Sequence, residues 1–219
     1  AALAAAKLHI PIAHVEAGLR SFDKKMPEEI NRILTDQLSD VLFTTSPEAK
    51  DNLLKEGKSK DGIFFVGNTM IDSLVKFSNY FDASSILNPI GLIDKDYILV
   101  TMHRPSNVDE IDKFSSFLKA LKRISENYPI VWPLHPRVRK TINNLDFRLN
   151  NFINIVEPAP YFEFMGLQKN AKIIITDSGG VQEESTYFKI PCFTVRENTE
   201  RPITISQGTN KLVGTNFNN

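Results

Sequence analysis

Residues 172–184 read KIIITDSGGVQEE. The apolar run 173–175 has the composition of a strand buried on both faces, and Gly179 and Gly180 follow it after a short polar step. The residues beyond the glycines favour a helix that ends near Lys189. A strand that enters a helix through a glycine turn exposes main-chain N–H groups at the helix start, where anions bind. The stretch therefore predicts an anion-binding unit, and we expect a diphosphate as its occupant.

The same strand-then-helix pattern recurs along the chain. Ser46, Pro47 and Glu48 form a helix start, and the spacing of apolar residues between positions 109 and 127 is helical. Short apolar runs that read as strands lie at 12–15, 41–44, 63–66, 97–101, 130–132, 153–156, 172–176 and 192–195. This alternation predicts an α/β doubly wound architecture, in which ligands bind at the carboxyl ends of the strands.

The length, charge balance and cysteine content of the chain limit the kinds of protein it can be. The chain has 219 residues, 42% of them hydrophobic, which is enough for one large or two small domains. Lys plus Arg and Asp plus Glu number 26 each, so no bulk charge draws the chain to nucleic acid or to a membrane surface. Cys192 is the only cysteine and lies in an apolar run, which indicates a buried, inert thiol and a reducing cytosol. We expect a cytoplasmic protein.

Polar residues follow other predicted strands. His103 and Arg104 come directly after the run 97–101, and His135 follows the next run. Arg201 belongs to the polar cluster 196–202, which follows the run 192–195 and suits phosphate contacts. A solvated loop at 196–202 and structural histidines are the simpler interpretations.

The glycine unit itself also admits a simpler interpretation. Ser178 could cap a tight turn at Gly179 and Gly180 without binding any ligand. In the functional interpretation these three residues hold a diphosphate, and Glu184, about one turn into the helix, accepts hydrogen bonds from ribose hydroxyls.

Two glutamates are candidates for acid–base chemistry. Glu16 lies at a strand end beside Gly18, where a carboxylate has no evident capping role, and Glu28 begins the next helix after Pro27. Carboxylates that share a partly dry cleft can divide acid and base roles. The alternative is that Glu28 and Glu29 only complement the helix dipole. No set of His or Cys residues has metal-ligand spacing, so we expect no metal site.

Taken together, the motifs resemble those of the non-hydrolysing UDP-N-acetylglucosamine 2-epimerases. The matching segments, in order, are HVEAGLR at 14–20, PEEINR at 27–32, GNTMID at 67–72, TMHR at 101–104 and TDSGGVQEE at 176–184. The resemblance implies two Rossmann-like domains in the GT-B arrangement, with the substrate in the cleft between them.

The resemblance also implies a reaction. A proton leaves C2 of the sugar, UDP leaves C1 to give a 2-acetamidoglucal, and re-addition inverts C2, so that UDP-GlcNAc becomes UDP-ManNAc without a cofactor. Carried over by position, Glu16, Glu28 and His103 are catalytic. The implied substrate-binding residues are Arg104, His135, Phe164, Ser178, Gly179, Gly180, Glu184 and Arg201. Among these, Phe164 matches the aromatic residue that contacts uracil.

Further implications concern regulation and substrate. His135, Arg104 and Glu28 resemble residues that hold a second, regulatory UDP-GlcNAc in some bacterial members. Met102 and Ser106 stand where family members usually have a small residue and a glutamate, which fits a related UDP-diacetamido sugar as an alternative substrate. Two further functions are compatible with the same motifs, namely a GT-B glycosyltransferase and a catalytically silent nucleotide-sugar binding module.

The ends of the sequence give an expectation of truncation. We expect residues 1–68 to be the second half of an N-terminal domain, 69–91 a connecting helix and linker, and 92–219 a C-terminal UDP-binding domain. The family's basic phosphate contacts and its catalytic aspartate precede the position of Ala1, so we expect little turnover from this stretch alone. The resemblance implies that the whole protein is a cytoplasmic homodimer that supplies polysaccharide synthesis.

Overall fold

The computed structural model of the chain describes residues 1–145, 147 and 149–217. Its first sheet has three parallel strands in the order β1-β2-β3. The strands are β1 (Ala13–Ala17), β2 (Val41–Thr44) and β3 (Ile63–Phe65). The helices of this unit are α1 (Ala2–Lys7), α2 (Pro27–Leu38) and α3 (Pro47–Lys55), with a 3-10 turn at Lys60–Gly62.

The second sheet is larger and also parallel throughout. Its strands are β4 (Ile98–Thr101), β5 (Ile130–Pro133), β6 (Ile153–Val156), β7 (Ile173–Thr176), β8 (Cys192–Thr194) and β9 (Asn210–Leu212). The order β6-β5-β4-β7-β8-β9 is the 3-2-1-4-5-6 order of the Rossmann fold when these strands are counted from one. The topological switch point, where such folds bind ligands, lies between β4 and β7.

Helices cover both faces of this sheet. In chain order, the helices around it are α4 (Thr69–Phe77), α5 (Ser84–Leu87), α6 (Pro105–Val108), α7 (Ile111–Ser125), α8 (Pro136–Asn144), α9 (Tyr161–Asn170), α10 (Gly179–Phe188) and α11 (Ile203–Ser206). Short 3-10 turns lie at Ser78–Tyr80 and Asn88–Ile90. None of the described helices has the length and apolar character needed to cross a lipid bilayer.

The core of the second sheet has two layers, one on each face. Phe114, Leu118 and Trp132 lie in the cluster on one side, and Tyr97 and Leu167 lie in the cluster on the other. Burial on both faces explains why the inner strands β4, β5 and β7 are almost entirely apolar. The first sheet has a much smaller cluster, formed by Ala17, Leu42, Leu53 and Ile63.

The connecting segment packs against the second sheet's helices. Leu74 of α4 is fully buried and clusters with Phe81 and Met165. Gly166 of α9 lets this segment approach closely, because an added Cβ would lie 2.7 Å from the backbone N of Ala83. The segment that connects the two sheets therefore packs against the helices of the second sheet.

The strand and helix predictions are confirmed with small shifts. β2 and β6 have the predicted bounds, and Ser46 caps α3 by accepting a hydrogen bond from the N–H of Ala49 at 3.4 Å. β9 was not among the predicted strands, because its sequence Asn-Lys-Leu is mainly polar. Among the predicted strands the largest difference is at β1, which runs to Ala17 instead of ending at Val15. The reason is a register shift between Val15 and Ala17, which adds one residue to the strand.

Candidate active site

Glu16 is the extra residue of a β-bulge at the end of β1. Val15 pairs with Phe43 and Ala17 with Thr44, so Glu16 has no partner of its own across the sheet. Its φ is 71°, in the left-handed region that non-glycine residues seldom adopt. Bulges redirect side chains at functional sites, and this one directs the Glu16 carboxylate across to Arg201 of the other unit.

A buried carboxylate fixes the backbone just after this bulge. Asp36 of α2 is fully buried and accepts a hydrogen bond from the N–H of Gly18 at 3.1 Å. It also lies 2.6 Å from Nδ1 of His14 and 2.7 Å from the guanidinium of Arg20. Burial alone would raise the pKa of Asp36, but the hydrogen bonds from His14 and Arg20 outweigh it and lower the pKa. The ion pair therefore anchors the loop that carries Glu16.

The structure separates Glu28 from Glu29. Glu29 is fully buried, and its carboxylate accepts the backbone N–H groups of Ser21 and Phe22 at 2.9–3.1 Å. Glu28 is exposed at the start of α2, and its charge acts on the guanidinium of Arg104 in the second unit. Glu29 therefore holds the loop that precedes α2, whereas Glu28 acts electrostatically on the other unit.

His103 lies at the switch point and is oriented by Asp177. Asp177 follows β7, is fully buried and lies 2.9 Å from Nδ1 of His103 through Oδ1. It also accepts the backbone N–H groups of His103 and Arg104 and the side-chain amide of Asn107. These bonds, the one from His103 foremost, outweigh burial and lower the pKa of Asp177. With Nδ1 held, the half-exposed imidazole of His103 presents Nε2 to the cleft.

Arg104 spans the two units. Its Nε donates to the carbonyl of Asp177 at 2.9 Å, while its guanidinium lies 3.8 Å from the sulfur of Met26 in the first unit. Burial and the nearby charge of Arg196 lower the pKa of Arg104. Glu200 lies 3.7 Å from Arg104 but is closer to Arg196, at 2.7 Å. The two cations therefore share this carboxylate.

Side chains from two other segments pack against the two glycines at the start of α10. Ser178 is the N-cap residue, yet its side chain caps none of the described N–H groups. Gly179 packs directly against Arg201, because an added Cβ would lie 2.5 Å from Nη1 of that residue. Gly180 lies against the end of the Met70 side chain, which a Cβ would approach to 2.9 Å. The serine-capped turn is therefore not what the structure contains.

A cleft of about 270 Å³ opens beside this turn. It brings together Phe164, His103, His135 and Ser178, with Met102 at its wall. His135 is exposed, and Phe164 is half-buried. Four of the predicted site residues thus line one cavity at the carboxyl ends of β4, β5 and β7. The residues that line it do not include the other predicted site residues, Glu16, Glu28, Arg104, Gly179, Gly180, Glu184 and Arg201.

Glu184 is buried beneath this cleft. Its Oε2 accepts a hydrogen bond of 2.6 Å from the side-chain amide of Gln168, and only 7% of the residue is exposed. Burial raises the pKa of Glu184. A ribose would reach this carboxylate only at the exposed edge.

The loop after β8 forms a dense ionic cluster. Glu200 lies 2.7 Å from Arg196 and 2.8 Å from Arg201, and all three side chains are nearly inaccessible to solvent. Burial alone would raise the pKa of Glu200, but the two guanidinium groups lower it to about 2. Arg201 also lies 2.7 Å from Glu16 and from Glu183. A solvated loop, the simpler interpretation allowed by the sequence, is excluded for these residues.

Several site residues were not singled out by the sequence. Asp177 reaches His103, and Asn107 reaches Asp177, because β4 and β7 are neighbours, with Thr101 paired to Thr176. Asp36 lies inside an amphipathic helix, where a charged residue reads as solvent-exposed. Knowledge that β4 and β7 are adjacent would have predicted the contacts of Asp177 and Asn107, but the sequence does not give the order of the strands.

In the described ranges 1–145, 147 and 149–217, no group of three or more His, Cys, Asp and Glu side chains could hold a metal ion. The chemistry available to the site is that of its carboxylates, its imidazoles, its guanidinium groups and the N-terminus of α10.

Comparison with known proteins identifies relatives of the whole chain. The model of the family described as UDP-N-acetylglucosamine 2-epimerase matches residues 1–219. The chain is 46% identical over 225 residues to the UDP-N-acetylglucosamine 2-epimerase of Methanocaldococcus jannaschii, a match that covers 98% of this chain and 61% of the relative. It is also 46% identical over 217 residues to the UDP-2,3-diacetamido-2,3-dideoxy-D-glucuronate 2-epimerase of Pseudomonas aeruginosa, covering 97% of this chain and 59% of that protein.

Solved structures give the same relationship. The Methanocaldococcus jannaschii enzyme in complex with UDP-GlcNAc and UDP matches with a TM-score of 0.90 and 44% identity, over 99% of this chain and 62% of that one. The chain therefore spans about three fifths of the length of the curated relatives it matches. Together with the two parallel sheets, these matches confirm the predicted fold class, α/β with Rossmann-like domains in the GT-B arrangement.

Proposed function

The chain belongs to the UDP-N-acetylglucosamine 2-epimerase family, and from this premise we propose that the complete protein interconverts UDP-GlcNAc and UDP-ManNAc. In the proposed reaction a carboxylate takes the C2 proton, and the C–H electron pair forms the C1–C2 double bond. The C1–O electron pair leaves with UDP. Re-addition of UDP to C1 and of a proton to the other face of C2 completes the epimerisation.

One observation carries the proposal. Glu16, at the end of β1, lies 2.7 Å from Arg201, and Arg201 packs on Gly179 at the start of α10. A carboxylate suited to proton transfer and a helix N-terminus suited to a departing diphosphate therefore both adjoin one arginine. Elimination needs both, because a developing negative charge must be stabilised at the leaving group while the proton is removed.

We assign roles to the remaining residues on the same basis. Glu16 and Glu28 serve the sugar, and His103, oriented by Asp177, donates to the leaving diphosphate. Ser178, Gly179 and Gly180 hold the diphosphate. The other proposed substrate contacts are Phe164 at the base, Glu184 at the ribose, and Arg104 and His135 at the mouth of the cleft.

The domain assignment and the assembly are also proposals. We assign residues 1–68 to the N-terminal Rossmann-like domain, 69–91 to the connection and 92–219 to the UDP-binding domain. We propose that the whole protein is a cytoplasmic homodimer that supplies an amino sugar for polysaccharide synthesis, and that the reaction uses no cofactor.

Incubation of the complete protein with UDP-GlcNAc in deuterated water tests the function. We expect UDP-ManNAc with deuterium at C2, formed without any acceptor, and about a 1000-fold lower rate for Glu28→Gln. Product without deuterium would reject proton abstraction. A requirement for an acceptor would indicate a GT-B glycosyltransferase, and UDP-sugar binding without turnover would indicate a binding module.

The sugar itself is tested in the same assay. The relative named for UDP-2,3-diacetamido-2,3-dideoxy-D-glucuronate is as similar to this chain as the relatives named for UDP-GlcNAc. Exchange at C2 of the diacetamido uronate, at a higher kcat/KM than for UDP-GlcNAc, would move the assignment to that substrate.

A further inference from the structure

Gln168 of α9 and Glu184 of α10 form a hydrogen bond in the interior of the second unit. Gln168 is fully buried, and its Nε2 donates to Oε2 of Glu184 at 2.6 Å. The two helices pack side by side, since Leu167 of α9 and Val181 of α10 belong to one apolar cluster. A hydrogen bond to an ionised acceptor is stronger than one between neutral groups, so this bond ties the carboxylate to α9.

The amide of Gln168 has a defined orientation. Its Nε2 also lies 3.8 Å from the sulfur of Met165, one turn earlier in α9. Both N–H groups of the amide therefore have an acceptor, whereas the opposite orientation would place the amide oxygen against the carboxylate of Glu184. The side chain is thus fixed as a donor to Glu184.

This bond leaves one oxygen of Glu184 free for another donor. Oε2 is occupied by Gln168. Oε1 accepts none of the described hydrogen bonds, yet it is not among the buried polar atoms without a partner, so it is the oxygen at the exposed edge of the residue. A carboxylate oxygen has two lone pairs, which suit the two hydroxyls of a ribose.

Stability alone does not account for a glutamine at this position. Oε1 of Gln168 is buried and has no hydrogen-bond partner in the described part of the chain. A buried acceptor without a donor costs free energy, and a methionine of similar volume would avoid that cost. The benefit that offsets it lies in the group that the amide contacts, which is Glu184.

The amide also favours the ionised form of Glu184. Burial raises the pKa of Glu184, and the hydrogen bond from Gln168 acts in the opposite direction. The nearby charge of Glu183 raises this pKa as well, and that of Arg201 lowers it. Because an ionised carboxylate is purely an acceptor, the bond from Gln168 keeps Oε1 available to hydroxyl donors.

We propose that Gln168 is a positioning residue, which orients the Glu184 carboxylate so that Oε1 accepts the ribose hydroxyls of the nucleotide. This role deepens the proposed function, because it rests on the assignment of Glu184 to the ribose. Gln168 itself has no access to the nucleotide, since its side chain is fully buried. It acts through Glu184.

The experiment compares UDP with 2′,3′-dideoxy-UDP, which lacks the hydroxyls that Glu184 would accept. Calorimetry with the complete protein gives the two dissociation constants, and their ratio measures recognition of the ribose. The wild type should bind UDP at least about tenfold more tightly, because hydrogen bonds to a charged acceptor have an effect of that order. Gln168→Met should lower this ratio by about fivefold or more, while the dissociation constant for the dideoxy analogue stays within about threefold of wild type.

Leu167→Met is the matched control. Leu167 is fully buried in the same helix, and its carbonyl accepts a hydrogen bond from Tyr97 that the substitution keeps. The substitution conserves volume, as Gln168→Met does, but it leaves the amide on Glu184 in place. We expect Leu167→Met to have the wild-type ratio.

A purely structural role of Gln168 predicts a different result. If Gln168→Met weakened the binding of both nucleotides by the same factor, or of neither, the ratio would not change and the positioning role would be rejected. Gln168→Asn tests the same point should the methionine variant not fold, because its amide is one carbon too short for the bond. We expect the same fall in the ratio.

A double variant shows whether the effect passes through Glu184. Glu184→Gln alone should lower the ratio at least as far as Gln168→Met does. In the Glu184→Gln background, Gln168→Met should then have no further effect on the ratio. A second fall as large as the one in the wild-type background would mean that Gln168 acts independently of Glu184, which would overturn the positioning role.

The wild-type protein separates this role from the proposed reaction. Equal affinity for the two nucleotides would reject both the assignment of Glu184 to the ribose and the positioning role of Gln168, whereas C2–H exchange in deuterated water would still support the epimerase reaction. A ratio that falls in Gln168→Met as expected, in a protein whose wild type shows no exchange, would support the positioning role and reject the reaction alone.

Discussion

At the scale of single residues, the candidate site consists of ionisable groups held by buried partners of opposite charge. Glu16 is held by Arg201, and His103 is held by Asp177. In each pair the buried member is fixed by further bonds, so the exposed member has one preferred orientation. Partners of this kind affect activity as strongly as the groups that touch substrate.

Asp177→Asn tests this argument for His103. An asparagine has nearly the same volume, but its amide nitrogen cannot accept the N–H groups of residues 103 and 104 that the carboxylate accepts. We expect turnover of the complete protein to fall by about 100-fold or more, because the imidazole loses its fixed orientation.

Asp82→Asn is the matched control for that variant. Asp82 also accepts hydrogen bonds that lower its pKa, from the backbone and the hydroxyl of Ser84, but it is exposed in the connecting segment. We expect Asp82→Asn to have the same turnover as the wild type. Equal losses in the two variants would show that the Asp177 effect is not local to His103.

The residue scale is also where the sequence predicted least well. Glu28 and Glu29 both suit the start of a helix, and only the path of the chain before α2 places the N–H groups of Ser21 and Phe22 on Glu29. The contact between Arg201 and Glu16 was not predicted, because it joins residues 185 positions apart. Sequence patterns report local periodicity and do not report such pairs.

At the scale of secondary-structure elements, prediction was much better. β2 and β6 have the predicted bounds because their sequences, VLFT and INIV, are mainly apolar and rich in residues that favour strands. The bulge in β1 was not predicted, since no glycine marks it and Glu16 itself adopts the positive φ. The order of the strands was not predictable either, because it depends on how separate βα units pack together.

Gly18 shows how closely α3 packs on the end of β1. Its φ is 81°, and an added Cβ would lie 2.3 Å from the carbonyl oxygen of Ala49, which belongs to α3. Gly18→Ala must therefore push α3 away from the strand in addition to straining the backbone. We expect a loss of about 3 kcal/mol or more in the free energy of unfolding, measured by urea denaturation.

Gly57→Ala separates the two causes. Gly57 has a similar φ of 86°, but an added Cβ has no described atom within 4 Å. Only the backbone strain remains, so we expect a loss of about 1–2 kcal/mol. If both variants lost the same free energy, close packing at Gly18 would contribute nothing.

At the scale of the whole molecule, the two sheet units meet through polar contacts. Arg201 bonds to Glu16, Asn198 lies 3.4 Å from Asp23, and the guanidinium of Arg196 lies 3.9 Å from the sulfur of Met26. The contacts made by Glu16 and Asp23 depend on ionisation of their carboxyl groups, whereas the apolar clusters inside each unit do not. The pH dependence of stability therefore reports on the cluster around Glu200, which joins these contacts.

The sign of that dependence follows from the pKa shifts. The pKa of Glu200 is lowered from 4.5 to about 2, so its contribution is complete above pH 4.5 and is lost as the pH falls toward 2. The full contribution is about 3 kcal/mol. Glu183 and Glu184 act in the opposite direction, because burial raises the pKa of each and protonation relieves that cost. Stability should thus fall on acidification by less than Glu200 alone would give.

Glu200→Gln removes the carboxyl group whose pKa is lowered. Glu157→Gln is the control, because it removes only an ion pair at the surface. Glu157 lies 2.7 Å from Arg139, but its side chain is 82% exposed, so solvent screens the pair. Urea denaturation at pH values between 4.5 and 2 should show a shallower loss of stability for Glu200→Gln than for the wild type, while Glu157→Gln follows the wild type. Parallel curves for all three proteins would mean that Glu200 is not ionised in the folded cluster, and the electrostatic account of the contact between the two units would then be wrong.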